Sequence, residues 1–212
     1  MRIPLKRDSQ GFLSRWQDLN LCPLAAKAGW IILIVLLIYN MSLTIKTERI
    51  ELKKFSKNDI NLLFELDGDS DVMKYLSLGK AKTIDEVKKE SMPRILKSYT
   101  NGINYGIFPA YLKSNNTYIG WFQFEKDKHI ENAIEVGWRL KKEHWGNGYA
   151  TEVGLSLVKK AKVLNKKVVA RAMIDNQASI RVMEKIGLQF VKEFWADYEP
   201  HSGTPDVLYE LS

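Results

Sequence analysis

The apolar positions divide the chain into two unlike parts. After about Thr44 they alternate, or recur at helical spacing, between short polar breaks; before it stands one unbroken apolar run at 29–39. Residues 48–55 alternate like a strand, with Ile50, Leu52 and Phe55 apolar. Residues 59–66 and 71–78 read as short helices. Thr83 is placed to N-cap a helix reaching about Tyr99, with Asp85 and Glu86 in its first turn, and Asn101-Gly102 ends it. Strands follow at 105–112, 118–125 and 133–140, separated by polar turns at 113–116 and 126–129. A glycine-rich turn then opens a helix from Tyr149 to about Lys162. A strand at 167–172, a helix at 177–186 and strands at 190–195 and 207–211 complete an α/β pattern, with no internal repeat and no low-complexity linker.

The run at 29–39 sits in an uncharged window from Ala28 to Ile45, bounded by Lys27 and Lys46. That is the lower edge for a membrane-spanning helix, which typically needs about 20 residues. If the run spans, the flank after it (Lys46, Arg49, Lys53, Lys54, Lys57) is more basic than the one before it (Arg15, Lys27). The following domain then faces the cytoplasm. A cleavable signal is disfavoured, because no small-x-small site follows. A third reading starts translation at Met41 and makes residues 1–40 a gene-calling extension. On any of these readings, residues 1–40 are set apart from a domain at 41–212.

Composition narrows the function. The chain has 212 residues, 45% of them hydrophobic and 27% charged, which is globular. Its one cysteine, Cys22, excludes an internal disulfide framework and fits a reducing compartment; with only three histidines, a metal site is not expected. The net charge is +7, of which residues 1–40 carry five basic against two acidic residues, or +3. The remaining +4 lacks a basic stripe with interleaved aromatics, so direct nucleic-acid binding is not expected.

The chemistry centres on Trp145, Gly146, Asn147, Gly148, Tyr149 and Ala150, between a strand and a helix N-terminus. Glycines let backbone approach a ligand, and free N–H groups with the helix dipole favour an anion, so this turn is a phosphate cradle. It lacks the Gly-x-x-x-x-Gly-Lys-Ser/Thr of a nucleotide-triphosphate loop. It also lacks a third small residue for a dinucleotide fingerprint, because Thr151 stands there.

A third template fits. Glu135-Val-Gly-Trp-Arg-Leu140 followed by Glu143-His-Trp-Gly-Asn-Gly-Tyr-Ala-Thr-Glu152 resembles the acetyl-CoA motif of the GNAT acetyltransferase superfamily. Asn176-Gln-Ala-Ser-Ile-Arg-Val-Met-Glu-Lys-Ile-Gly-Leu188 is similar to its second motif, and Thr47-Glu-Arg-Ile-Glu-Leu52 to the first strand of its RimJ/RimL-like branch. The resemblance covers about Leu43 to Leu211. It implies an α/β (α+β) acyl-CoA N-acyltransferase fold, a mixed, mostly antiparallel sheet flanked by helices. Two neighbouring strands, 133–140 and 167–172, splay to hold the pantetheine arm of acetyl-CoA, the co-substrate. Backbone groups of Trp138, Arg139 and Leu140 are expected to pair with the pantetheine amides, amides of 145–150 to hold the pyrophosphate, and Asn176 to bond CoA or a site water. A core or lid role for Trp138 and Trp145, and a purely capping role for Asn176, remain open beside these.

Moving acetyl from thioester to amine needs a neutral amine, a donor for the carbonyl oxygen and a proton for the thiolate. Glu135 is the expected base, a role the resemblance also implies. Where many relatives have a tyrosine acid, this chain has Met183, which cannot donate; Ser179 is the alternative donor. The expected activity is N-acetylation of a primary amine, either a protein N-terminus (possibly ribosomal) or a small molecule, by direct attack in a ternary complex. Acceptor choice is expected to lie in the helices between Asp59 and Tyr99 and in the 198–205 loop. A cytoplasmic monomer or homodimer is expected, tethered to a membrane only if 29–45 is a real anchor. A non-catalytic acyl-CoA sensor on the same fold is the alternative.

Overall fold

The computed structural model describes residues 45–76, 79–102, 104–195 and 203–211. The chain clusters into two units, Met1–Ser42 and Leu43–Ser212, and every described residue belongs to the second. The apolar run at 29–39 and most of the 198–205 loop lie outside the described residues. Among those described, no helix is long and apolar enough to cross a membrane.

Seven strands form one sheet: β1 (Ile50–Leu52), β2 (Gly106–Leu112), β3 (Tyr118–Lys126), β4 (Ala133–Leu140), β5 (Lys167–Met173), β6 (Leu188–Phe194) and β7 (Asp206–Leu211). Their order is β1-β2-β3-β4-β5-β7-β6, antiparallel throughout except between β4 and β5. This is the mixed, mostly antiparallel sheet that the resemblance implied.

Both faces of the central strands are covered, which is why β2 and β3 read as nearly continuous apolar runs. On one face Phe108, Phe122, Phe124, Val136 and Leu140 pack against α5 (Tyr149–Val163) and α6 (Gln177–Lys185). On the other, Ile107, Tyr118 and Trp121 meet a layer of short helices: α1 (Ile60–Asp67), α2 (Ser70–Met73), α3 (Ile84–Glu86) and α4 (Met92–Ser98). Gly120 faces Leu140 at the end of β4 with φ 136°, and a Cβ there would lie 2.2 Å from the Arg139 carbonyl oxygen. Only glycine permits β3 and β4 to approach so closely at that point.

Thr83 caps α3 in a full capping box. Its side chain accepts from the Glu86 amide at 3.3 Å, and Glu86 accepts from the Thr83 amide at 2.7 Å. The helix expected to run to Tyr99 is broken by a π-helical turn over Val87–Ser91. Pro93 explains it: proline has no N–H for the carbonyl four residues earlier and its ring would clash with that carbonyl, so the chain widens there. The second expected helix, at 71–78, shrinks to four residues. Asp69 starts it, accepting from the Asp71 amide at 2.8 Å. The chain then turns at Gly79, whose N–H bonds the Leu76 carbonyl at 2.7 Å.

Candidate functional site

Strands β4 and β5 pair only at Ala133↔Lys167, Ile134↔Val168 and Glu135↔Val169. Beyond Glu135 they part, although β4 continues to Leu140 and β5 to Met173. The backbone direction along the open part follows from two bonds at its ends. Asp127 N–H reaches the Ala133 carbonyl at 2.9 Å, and Lys141 N–H reaches that of Ile119 at 2.9 Å. In an antiparallel pair such bonding recurs every second residue, so the odd positions of β4 exchange bonds with β3. The even positions, Val136, Trp138 and Leu140, aim their N–H and C=O groups into the gap. Arg139 departs from expectation: its backbone belongs to the β3 ladder. The Leu140 carbonyl is already taken, accepting from Trp145 Nε1 at 2.8 Å. Val136, not foreseen, joins Trp138 in presenting unshared backbone groups to the gap.

The glycine turn stands at the open end. Gly146 and Gly148 adopt φ 76° and 77°, a left-handed conformation costly for other residues, and Gly148 caps α5. Glu152 is the first residue of α5 to close a helical turn, on the Gly148 carbonyl at 3.0 Å. The amides of Tyr149, Ala150 and Thr151 precede it and have no intrahelical acceptor. Residues 145–148 are exposed, and Trp145, at 48% exposure, braces the turn through its ring N–H to the end of β4.

A clamp that the sequence pattern did not reveal holds this turn. Arg49 donates from Nε to Glu152 Oε2 at 2.6 Å and from its guanidinium to the Asn147 carbonyl at 3.1 Å. It also lies 4.6 Å from the Tyr149 ring centre. Glu152 accepts the Arg49 amide at 2.9 Å and the Thr47 hydroxyl. Burial pushes the Glu152 carboxyl up, but the bonds from Thr47 and Arg49 outweigh it and hold it below the usual range. The residues that opened the family resemblance at β1 are thus joined to the first turn of α5. Only their separation of about a hundred positions hid the link.

On the helix-layer face of β4, Glu135 stands where the strands begin to part. Gln123 donates to its Oε2 at 3.0 Å and Arg171 to its Oε1 at 3.1 Å. Arg171 also bridges to Asp127, whose other oxygen takes the His129 and Ile130 amides at 2.9 and 2.6 Å. Directly across the ladder from Glu135 is Glu125. No hydrogen bond or ion pair holds its side chain among the described residues. Burial pushes its carboxyl up, and the Glu135 charge adds to this, against the pull of Arg94 and Lys128.

A gap that exposes backbone groups, beside a glycine turn with free amides, is the arrangement that the acetyl-CoA motif requires. The family profile described as the acetyltransferase (GNAT) domain matches residues 49–189. The chain belongs to the GNAT acetyltransferase family. It is 29% identical over 166 residues to YnaD, an uncharacterized N-acetyltransferase of Bacillus subtilis, covering 73% of this chain and 93% of that protein. A GNAT-family acetyltransferase structure from Bacillus anthracis is 27% identical with a TM-score of 0.64, over 80% of this chain and 98% of that one. RimL, a ribosomal alpha-N-protein acetyltransferase solved with coenzyme A, has a TM-score of 0.63 over 77% of this chain and 94% of its own. At 18% identity it shares the fold, and the particular branch is not distinguished by it.

The remaining expected residues of this acetyltransferase lie at the start of α6. Asn176 is its N-cap and accepts from the Ser179 amide at 3.1 Å, so capping occupies that side-chain oxygen. Ser179 is half-buried. Met183, at the family's tyrosine position, is 2% exposed and belongs to the core under α5. Among the described residues no group of three or more His, Cys, Asp and Glu is placed to hold a metal.

Proposed function

We propose that the chain transfers acetyl from acetyl-CoA to a primary amine by direct attack in a ternary complex. The observation that carries this is the convergence at one seam. The free backbone edge of β4 and the glycine turn lie at the donor end, and the Glu125/Glu135 pair opens onto the other face. The turn, with the free amides of the first turn of α5, holds the pyrophosphate; the Val136 and Trp138 carbonyls accept from the pantetheine amides. The Trp138 N–H then donates to the thioester oxygen as it gains charge.

The amine nitrogen attacks the thioester carbon, and the carbon–sulfur bond breaks. The proton lost from nitrogen passes to Glu125, directly or through water. Glu135, bonded to Arg171 and Gln123, sets its charge beside Glu125 and raises the basicity of that neighbour, the division of labour that adjacent carboxylates adopt when their surroundings differ. Ser179 is the candidate to protonate the thiolate. Acceptors of this class include protein N-termini, ribosomal ones among them, and small amines, and a RimJ/RimL-like assignment belongs to the same proposal. If the run at 29–39 spans a membrane, the more basic flank after it puts the domain on the cytoplasmic side.

Thiol release from acetyl-CoA by the full chain, across a panel of peptides and small amines, tests this. Amine-dependent release is the expected result. Tight CoA binding without release for any amine would overturn it and favour the non-catalytic sensor.

A further inference from the structure

We infer that the acceptor carries an anionic group as well as its amine, and that Arg94 and Arg139 bind that group; this rests on the acetyl-transfer reading above. Between the helix layer and the sheet lies a cavity of about 280 Å³. Its wall includes Asp67, Lys82, Ser91, Arg94, Trp121 and Arg139. Arg139 reaches it from the same face of β4 that carries Glu135. Glu135 and Arg139 are four residues apart on that face, roughly 13 Å at strand rise. Gly137 lies between them and the Gln123 side chain covers it, with Gln123 Cβ 3.4 Å from where a Gly137 Cβ would stand, so an acceptor reaching both ends crosses Gln123.

The charges in the cavity do not balance. Asp67, at 2% exposure, is its one carboxylate and has a partner on each oxygen: Oδ1 accepts from Arg139 and Oδ2 from the Ser91 hydroxyl at 2.8 Å. Its charge is already matched by Arg139. Lys82 is held by Glu90 at 3.1 Å and by Ser91 at 3.2 Å. Arg94 is left over. It is exposed at the mouth, close enough to Glu125 and to Arg139 for its charge to act on both, and makes no hydrogen bond or ion pair among the described residues.

Two buried donors of the same wall, Arg139 Nε and Trp121 Nε1, likewise have no acceptor among the described residues. Trp121 is 6% exposed, and the Arg139 guanidinium lies 4.9 Å from its ring centre. Buried donors without partners are uncommon and costly. A wall with surplus positive charge and unmet donors suits an anion. Further along the same sheet face the Glu125/Glu135 pair suits an ammonium. An amine bearing a carboxylate satisfies both ends; a polyamine would bring a second cation to Arg94.

The test compares thiol release for ω-amino acids of increasing length and short free peptides with their amides, with diamines, and with phosphoethanolamine. The carboxylate acceptors should exceed their amides at least tenfold in kcat/KM, the scale of one charge-assisted hydrogen bond. Phosphoethanolamine exceeding every carboxylate would instead identify a phosphate-bearing acceptor, still anionic. Arg94→Gln, a surface change, should raise KM about tenfold for anionic acceptors and far less for the amides, while any change in kcat that comes through Glu125 is common to both. Calorimetry with an N-acetylated amino acid and CoA gives a readout independent of turnover. Arg94-dependent binding without any turnover upholds the anion site and removes the enzymatic reading. Turnover of amines with diamines or amides preferred, or equal effects of Arg94→Gln on charged and neutral acceptors, overturns the anion site and leaves the enzyme standing.

Discussion

Glu125 and Glu135 are Cα partners across β3 and β4, yet only Glu135 is fixed by side-chain bonds, to Gln123 and Arg171. The unfixed member has the raised carboxyl, so it is the better base near neutrality. Glu125→Gln is expected to lower kcat about a hundredfold, a typical general-base contribution. It should also remove the acid limb of the pH profile of kcat/KM. An unchanged acid limb in that variant sinks the assignment.

The clamp around Glu152 predicts an acid-sensitive turn. Its carboxyl lies below its ordinary value of 4.5, so its contribution to stability is present above that pH and is lost as pH falls through the lowered value. In Glu152→Gln the melting temperature should be lower at neutral pH, with the difference from wild type shrinking toward the acid end. Affinity for CoA should weaken as well, read by calorimetry.

Gly148→Ala tests the turn itself. The substitution forces a Cβ into φ 77°, which costs roughly 1–2 kcal/mol, while the nearest side-chain atom, on Arg49, is 3.7 Å away. Backbone strain therefore dominates over crowding. A CoA Kd weakened about tenfold, with the helical circular-dichroism signal retained, is expected.

Asp67→Asn removes the only charge that compensates Arg139 below the helix layer. Breaking a buried pair by removing one partner costs about 3–5 kcal/mol, because the other charge is stranded. Arg139 keeps 14% side-chain exposure, so the low end is expected, read by urea denaturation. Asp67→Asn combined with Arg139→Met should recover much of the loss; no recovery would show that the pair is not the cause.

Most of the sheet could be read from its apolar pattern, since every strand except β6 buries at least one apolar face; β6 buries only Leu188. The glycine turn was legible because positive φ restricts which residues can stand there. The α3–α4 break was missed, Pro93 being its one sign in the sequence, and the short α2 was overestimated because apolar spacing at 71–78 mimics a longer helix. The Arg49–Glu152 clamp and the Glu125–Glu135 pair join residues distant along the chain, so no local period announces them. Arg139 shows the same limit at finer scale: its place next to Trp138 suggested a shared role, but the two-residue alternation of a strand sends its backbone to β3 and its side chain to the helix layer.

Three residue pairs are all that join β4 to β5, so the sheet is two leaves sewn by a short seam. Whatever fills the opening adds rungs between the leaves and acts as part of the fold. Any donor that binds only the folded chain shifts unfolding by mass action, by about 2.7 kcal/mol at a hundred times its Kd. The stability of the folded domain is then tied to the supply of its own thioester.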